Sequence, residues 1–518
     1  MIPALPSRRE KPVLVLGATG YVGGRLAPRL LAAGFRVRAV GRSLAKLACR
    51  PWASHPRCEL VTGDVMDPLS LARAMDGCWA AFYLVHSMNK ATKDFAAADR
   101  QAARNMSLAS DAAGLERIIY LGGLVPDDPD ISHHLRSRAE VGRILQAGGT
   151  PCTWLRAAMI LGAGSASFEL LRYLAERLPL MITPRWVRSK CQPIAIGDVL
   201  GYLRGCLEHE QVSGQTFDIG GPDIHSYEEL FQIFAQEAGL RPRIIVPVPV
   251  LSPRLSSYWI HLVTPVPASL GRPLAEGLRN TVICRDNRIR EIIPQELTPA
   301  RMAIRRALER IAQERVETCW MDAGGPSPPE WVACGDAPFA GGAVFREGYE
   351  LAMPLPVDRV WQDVAGVGGA QGWYSSGWLW RLRGLMDEAV GGPGLRRGRR
   401  SNRELRVGDA LDFWRVLELE PERRLLLLAE MKLPGSATLE LRLEPAGPES
   451  CRAQLIVSFL PKGLGGLAYW HGVWPLHQRV FAGLLTGLAR TAGADQPGQV
   501  TRFDPSRANA CRLPSPSH

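Results

Sequence analysis

Residues 13–23 read VLVLGATGYVG and constrain this chain more than any other segment. The run VLVL is apolar on both faces, as a central parallel strand must be. Gly17, Gly20 and Gly23 follow where that strand gives way to the amphipathic segment 21–33, and a second strand pattern succeeds it at 36–40. Small residues at these three places let an anion approach the backbone at a helix N-terminus, which makes a cradle for a dinucleotide pyrophosphate. Gly17, Thr19, Gly20, Tyr21, Val22 and Gly23 are the expected contacts. A glycine-rich turn that binds nothing is the alternative, and the strand–turn–helix–strand context argues against it.

A length of 518 residues calls for two or three domains. The formal charge of +11 comes from scattered Arg and Lys with one dense run, Arg396, Arg397, Arg399 and Arg400. Basic residues do not alternate with aromatics as on a single-strand platform, so nucleic acid is excluded as the expected partner. An anionic cofactor, or peripheral contact with the inner face of a membrane, suits the charge. The 11 cysteines are odd in number and contain no close CxxC pair, which fits a reducing compartment. The first twelve residues lack an apolar core of signal-peptide length, and no run of about 18 apolar residues occurs. A cytoplasmic location is expected, and the oligomeric state is left open.

Strand patterns at 13–16, 36–40, 59–62, 80–84, 117–121 and 152–156 alternate with helical patterns at 23–33, 69–75, 92–113 and 137–146. This is the order of a doubly wound α/β domain with a parallel sheet. The second strand ends in VGRSLAKL, without the acid that would hold two ribose hydroxyls. Arg42, helped by Ser43 or Lys46, can meet a ribose 2′-phosphate, which favours NADPH/NADP+ over NAD; a solvated arginine is the alternative. Asp64, with Val65 beside it, follows the third strand and can accept from an adenine amino group or cap a local turn. The fourth strand ends in FYLVHSMNK, so His86 and Ser87 stand beside the nicotinamide half, and a backbone-satisfied histidine is the other reading of His86.

These elements, with GDVMD, RIIYLGGL, SRAEVGRIL, TWLRAAMILGAG, QPIAIGDVLGYL and TFDIGGPDIHSYEEL, resemble the short-chain dehydrogenase/reductase superfamily in its extended and atypical, NmrA-like branch over residues 12–310. The resemblance implies a Rossmann domain and nicotinamide chemistry assisted by a tyrosine, a lysine one helical turn later and a serine. Here the tyrosine place falls on His134, the lysine place on Arg138, and the serine-bearing strand end reads LGGLV with Gly122 and Gly123. Two readings follow. Either His134 exchanges the proton while Arg138 holds the cofactor ribose, or the site is silent and the domain binds NADP(H) as a sensor. The first makes the chain an oxidoreductase acting on an apolar carbonyl or enone compound.

Residues 165–310 are expected to form the substrate lobe of a first domain spanning 12–320, with helices at 167–176, 196–208, 226–238 and 299–313. Ser226 and Glu229 have the spacing of a capping box. The proline-rich apolar stretch between Ile244 and Thr281 could wall a pocket for an apolar small molecule or lipid, touch a bilayer, or pack on the next domain. GGPSPPE at 324–330 marks a boundary. Strand patterns at 342–355, 411–420, 423–431, 437–444 and 451–459, then a long helix at 467–490, resemble an α+β helix-grip domain. Residues 335–495 also resemble an uncharacterised domain found behind atypical short-chain dehydrogenases. Trp373, Trp378, Trp380 and Trp414 line a cavity there or fill a core, and the arginine run either grips a phosphate headgroup or cofactor or, as the favoured expectation, stands in solvent. His471, His477 and Arg479 give no metal set, and 496–518 is expected to be a loose tail.

Overall fold

The computed structural model describes residues 8–85, 95–125, 133–248, 280–312, 345–401, 404–461, 463–494 and 498–505. The chain divides into two compact units, residues 1–324 and 325–518.

The first unit is built on a seven-stranded parallel sheet. Its strands are β1 (Pro12–Leu16), β2 (Arg36–Gly41), β3 (Cys58–Thr62), β4 (Ala80–Tyr83), β5 (Arg117–Gly123), β6 (Cys152–Ala157) and β7 (Thr216–Ile219). They lie in the order β7-β6-β5-β4-β1-β2-β3. The period of two along β1 sends Val13 and Val15 into one apolar layer and Leu14 and Leu16 into the other, which is why its whole run is buried. The helices α1 (Gly23–Ala32), α2 (Pro68–Met75), α3 (Phe95–Ala112) and α4 (His133–Gln146) cross between strands. Strand order reverses between β1 and β4, and ligands of doubly wound sheets bind in the crevice beyond such a reversal.

The six predicted strands are present within a residue or two. Thr216–Ile219, too short to stand out as a pattern, pairs with β6 from Thr216↔Trp154 to Ile219↔Ala157. The helix Ile196–Glu208 was expected in the substrate lobe. It instead shares a core layer with α1, where Val199, Leu200 and Leu203 join Leu26 and Leu30, because its apolar face suits the sheet layer. The remaining lobe packs Ala166–Arg177, Tyr227–Glu237 and Ala300–Ala312 around Phe168, Leu230, Phe234 and Ile304. The capping box is formed: Glu229 N–H donates to Ser226 Oγ at 3.1 Å, and Ser226 N–H to Glu229 Oε2 at 2.7 Å. Most of the proline-rich stretch, 249–279, lies outside the described residues.

The second unit is an antiparallel sheet carrying a long helix. In chain order its main strands are β8 (Phe345–Met353), β9 (Trp414–Glu420), β10 (Arg424–Ala429), β11 (Gly435–Gly447), β12 (Ser450–Pro461) and β13 (Thr501–Phe503). β9 to β12 follow one another across the sheet, and β8 lies between β12 and β13. The helix Gly463–Thr491 lays Phe481, Leu484, Leu485 and Leu488 on the sheet's apolar face. β13 corrects the expectation of a loose tail. Phe503 pairs with Gly348, where a Cβ would stand 2.7 Å from its ring, so the glycine makes room for the aromatic.

Candidate dinucleotide site

The turn after β1 has the conformation its glycines foreshadow. Gly17 sits at φ +91°, open to glycine at little cost, and a Cβ on Gly23 would collide with the Gly17 carbonyl oxygen. The N–H groups of Gly17 and Ala18 both donate to Val40 O at 3.2 Å, and Gly20 N–H donates to Gly17 O at 2.9 Å. α1 then starts on Val22 with no side-chain cap and no acid in its first turn. The N–H groups of Thr19 and Val22 meet no acceptor among the described residues. Uncommitted donors at the positive end of a helix, set among Gly17, Gly20 and Gly23, fit a pyrophosphate.

Three residues that sequence reasoning missed hold this turn. Arg50 Nη2 donates to Thr19 O at 2.8 Å, and Trp52 Nε1 donates to Gly24 O at 3.1 Å. Arg25 is buried in α1, donates to Ala163 O at 2.7 Å and to the Tyr21 hydroxyl at 3.1 Å, and lies over the Tyr21 ring. Tyr21 therefore ties the turn to residues 162–163. An arginine in an amphipathic helix or a loop carries no local mark of such a role.

At the end of β2, Arg42 is exposed and engages no partner among the described residues. Ser43 caps the short helix Leu44–Ala48 by accepting Lys46 N–H at 3.4 Å. Asp64 Oδ1 accepts Met66 N–H at 2.9 Å, so the turn role is real, while Oδ2 has no donor among the described residues. Val65 is buried, and its carbonyl accepts from Asn105 Nδ2 at 2.9 Å.

On the nicotinamide side, His86 and Ser87 lie outside the described residues, as does the side chain of His134 in the first turn of α4. Arg138 Nη2 donates to Leu121 O at 2.7 Å, its guanidinium lies over the Tyr120 ring, and the Tyr120 hydroxyl returns a bond to Arg138 O at 3.1 Å. The anchor leaves Nε and Nη1 without an acceptor among the described residues. The missing serine is explained by packing: a side chain on Gly122 would run into the Trp154 indole, and a Cβ on Gly123 would stand 3.2 Å from Leu135. Tyr83 and Tyr120 are no substitutes for the missing tyrosine. Burial among apolar neighbours pushes both hydroxyls up, Tyr120 to about 12 although Arg138 pulls it down.

The second unit overturns the expectation that the arginine run is solvated. Arg397 and Arg415 share the Glu430 carboxylate, Arg400 pairs with Asp409 at 3.0 Å, and Arg399 donates to Val367 O at 2.9 Å. The side chain of Arg396 is outside the described residues. Sequence could not show this, because Glu430 comes from the far end of β10. Trp373 stacks on Phe413 and Trp380 in the core, Trp414 lies tilted against Phe413, and Trp378 projects into solvent. His477 Nδ1 donates to the buried Glu347 carboxylate at 3.2 Å, joined there by the Tyr349 hydroxyl at 3.0 Å.

Comparison with known proteins agrees with this division. Residues 17–161 match the family described as NAD(P)H-binding, and residues 339–484 match a family described as a protein of unknown function, DUF2867. The chain is 30% identical over 225 residues to the (4-alkanoyl-5-oxo-2,5-dihydrofuran-3-yl)methyl phosphate reductase of Streptomyces griseus, covering 42% of this chain and 70% of that enzyme. It is 25% identical over 273 residues to the ceramide reductase of Caulobacter vibrioides, covering 52% of this chain and 84% of that enzyme. Identity to the divinyl chlorophyllide a 8-vinyl-reductase of Arabidopsis thaliana is 23%, over 46% of this chain and 62% of the plant enzyme, less than two thirds of its length. Among solved structures, the Citrobacter sp. triphenylmethane reductase complexed with NADP(H) aligns with 57% of this chain and 99% of its own, at 20% identity and a TM-score of 0.47.

Proposed function

The chain belongs, through its first unit, to the NAD(P)H-binding family, and from that premise we propose that it is an NADPH-dependent oxidoreductase acting on a largely apolar carbonyl or enone compound. The observation that carries the reading is the glycine turn with its uncommitted Thr19 and Val22 N–H groups. Those donors and the uncapped start of α1 take the pyrophosphate. Arg42, exposed and without a partner among the described residues, takes the ribose 2′-phosphate that separates NADPH from NADH, and Asp64 Oδ2 takes the adenine amino group. When bound, the nicotinamide supplies a hydride. Arg138, anchored on Leu121 O, offers its remaining N–H groups to a ribose hydroxyl, and His134 one turn earlier on α4 is the proton donor of the reading, with His86, three residues after β4 in sequence, as its companion. Support for an apolar substrate comes from relatives whose named substrates include a ceramide and an alkanoyl-bearing phosphate.

One observation favours a second reading, a domain that binds NADP(H) without turnover. The Trp154 ring leaves no room for a hydroxyl at Gly122, so the usual serine has no counterpart there.

Calorimetric titration with NADPH and NADH tests both. NADPH should bind more tightly, and Arg42→Ala should weaken NADPH alone by about tenfold to a hundredfold, the worth of a charge-assisted hydrogen bond. Equal affinity for the two dinucleotides would remove the selectivity, and absence of binding would remove the reading. NADPH oxidation with long-chain enones, abolished by His134→Gln, supports the enzyme. Binding with no turnover of any such compound supports the sensor.

A further inference from the structure

The helix Gly377–Ala389 of the second unit shows solvent its apolar side. Its exposed positions include Trp378, Arg381, Leu382, Leu385 and Met386, with Val390 just past its end, recurring at the three- and four-residue spacing of one helical face. Trp378 and Leu385 are each 63% exposed and Val390 65%. Asp387 is wholly buried and accepts N–H bonds from Gly394 at 2.9 Å and Lys432 at 2.5 Å, and the Glu388 carboxyl packs against Gly394. Trp380, on the same inner side, stacks on Trp373. These anchors prevent the helix from rolling its stripe inward. A contiguous apolar stripe of this kind on a surface marks a contact.

The charges around the stripe say with what. Arg381 is exposed and without a partner among the described residues. Arg383, whose Nη2 donates to the Lys432 backbone O at 3.3 Å, adds a second cation on the same helix. Of the helix's own acids, Asp387 is buried, and the Glu388 carboxyl lies beside Gly394, past the end of the helix. A second copy docked on the same face would set cations against cations. An anionic bilayer answers both parts of the pattern: apolar side chains enter the acyl boundary, the indole sits at headgroup depth, and the cations meet lipid phosphates. We propose that this face docks the chain in the plane of an anionic membrane surface. The inference is independent of the dinucleotide reading.

Co-sedimentation of the full chain with phosphatidylcholine vesicles, with and without phosphatidylglycerol, tests it. The chain should partition onto the anionic vesicles and come off with added salt. The double variant Leu385→Ser with Met386→Ser should lose about tenfold or more of that partitioning, at an unchanged melting temperature because both side chains are exposed. Arg381→Glu should weaken binding in the same direction. The proposal is overturned if the wild type does not sediment with anionic vesicles, or if the double variant sediments equally well. It is also overturned if the double variant converts a lipid-free dimer into a monomer, which would assign the face to self-association.

Discussion

The Trp154 indole lies against Gly122 and fills the volume that a side chain at that position would need. The same ring lies on Gly142 of α4, where a Cβ would stand 2.6 Å from it, so two glycines in different elements make one slot for a large aromatic. Gly122→Ser is therefore expected to strain the core without restoring a catalytic hydroxyl. Urea unfolding should show a loss of about 1–3 kcal/mol, typical of overpacking. NADPH turnover should not rise.

Gly23→Ala is expected to cost both the fold and the cofactor, because its methyl meets backbone atoms. The added methyl pushes on the Gly17 carbonyl and shifts the turn that presents the Thr19 and Val22 N–H groups. Calorimetry should show NADPH affinity falling by about tenfold or more, because close approach of backbone to phosphate is lost. An unchanged dissociation constant would mean the phosphate sits elsewhere.

Arg50→Ala tests whether the turn is held ready by its neighbours. The guanidinium bond to Thr19 O at 2.8 Å fixes the peptide next to the donors. Its loss should weaken NADPH binding by about threefold to tenfold, the worth of one hydrogen bond, and should weaken NADH binding by the same factor. A selective effect on NADPH would instead place Arg50 on the ribose phosphate.

Acid sensitivity of the second unit should follow Glu430. Burial pushes its carboxyl up, but Arg415 and Arg397 outweigh that and bring it from 4.5 down to about 2. A folded value below the unfolded one contributes stability above about pH 4.5, and that contribution disappears as the pH falls towards 2. Glu430→Gln leaves two buried guanidinium groups without their carboxylate. Denaturant titration at neutral pH should show a loss of about 3–5 kcal/mol. The variant's stability should then vary less across the acid window than the wild type's.

Much of the first unit was legible because its signals are local. A both-face apolar run, a glycine turn and an amphipathic helix follow each other within β1 and α1, and each is dictated by contacts a few residues apart. The Ser226–Glu229 box was readable for the same reason. Arg25, Arg50 and Trp52 were not, since their partners at Ala163, Thr19 and Gly24 are reached only when loops fold onto the turn. The arginine run misled because charge density suggests solvent unless carboxylates arrive from elsewhere. Here Glu430 and Asp409 do.

What the residues determined alone was the alternation of strand and helix and the glycine turn on which the proposed phosphate contact rests. Periods of two and 3.6 and the steric freedom of glycine operate over a few neighbours, so they survive in a linear text. Tertiary structure alone decided that Trp154 closes the serine position, that Thr501–Phe503 joins a sheet, and that the Gly377–Ala389 helix shows its apolar side to solvent. An amphipathic pattern states that two faces differ. Which face turns inward depends on anchors such as the buried Asp387 and its distant donors Gly394 and Lys432, and those exist only once the chain has folded.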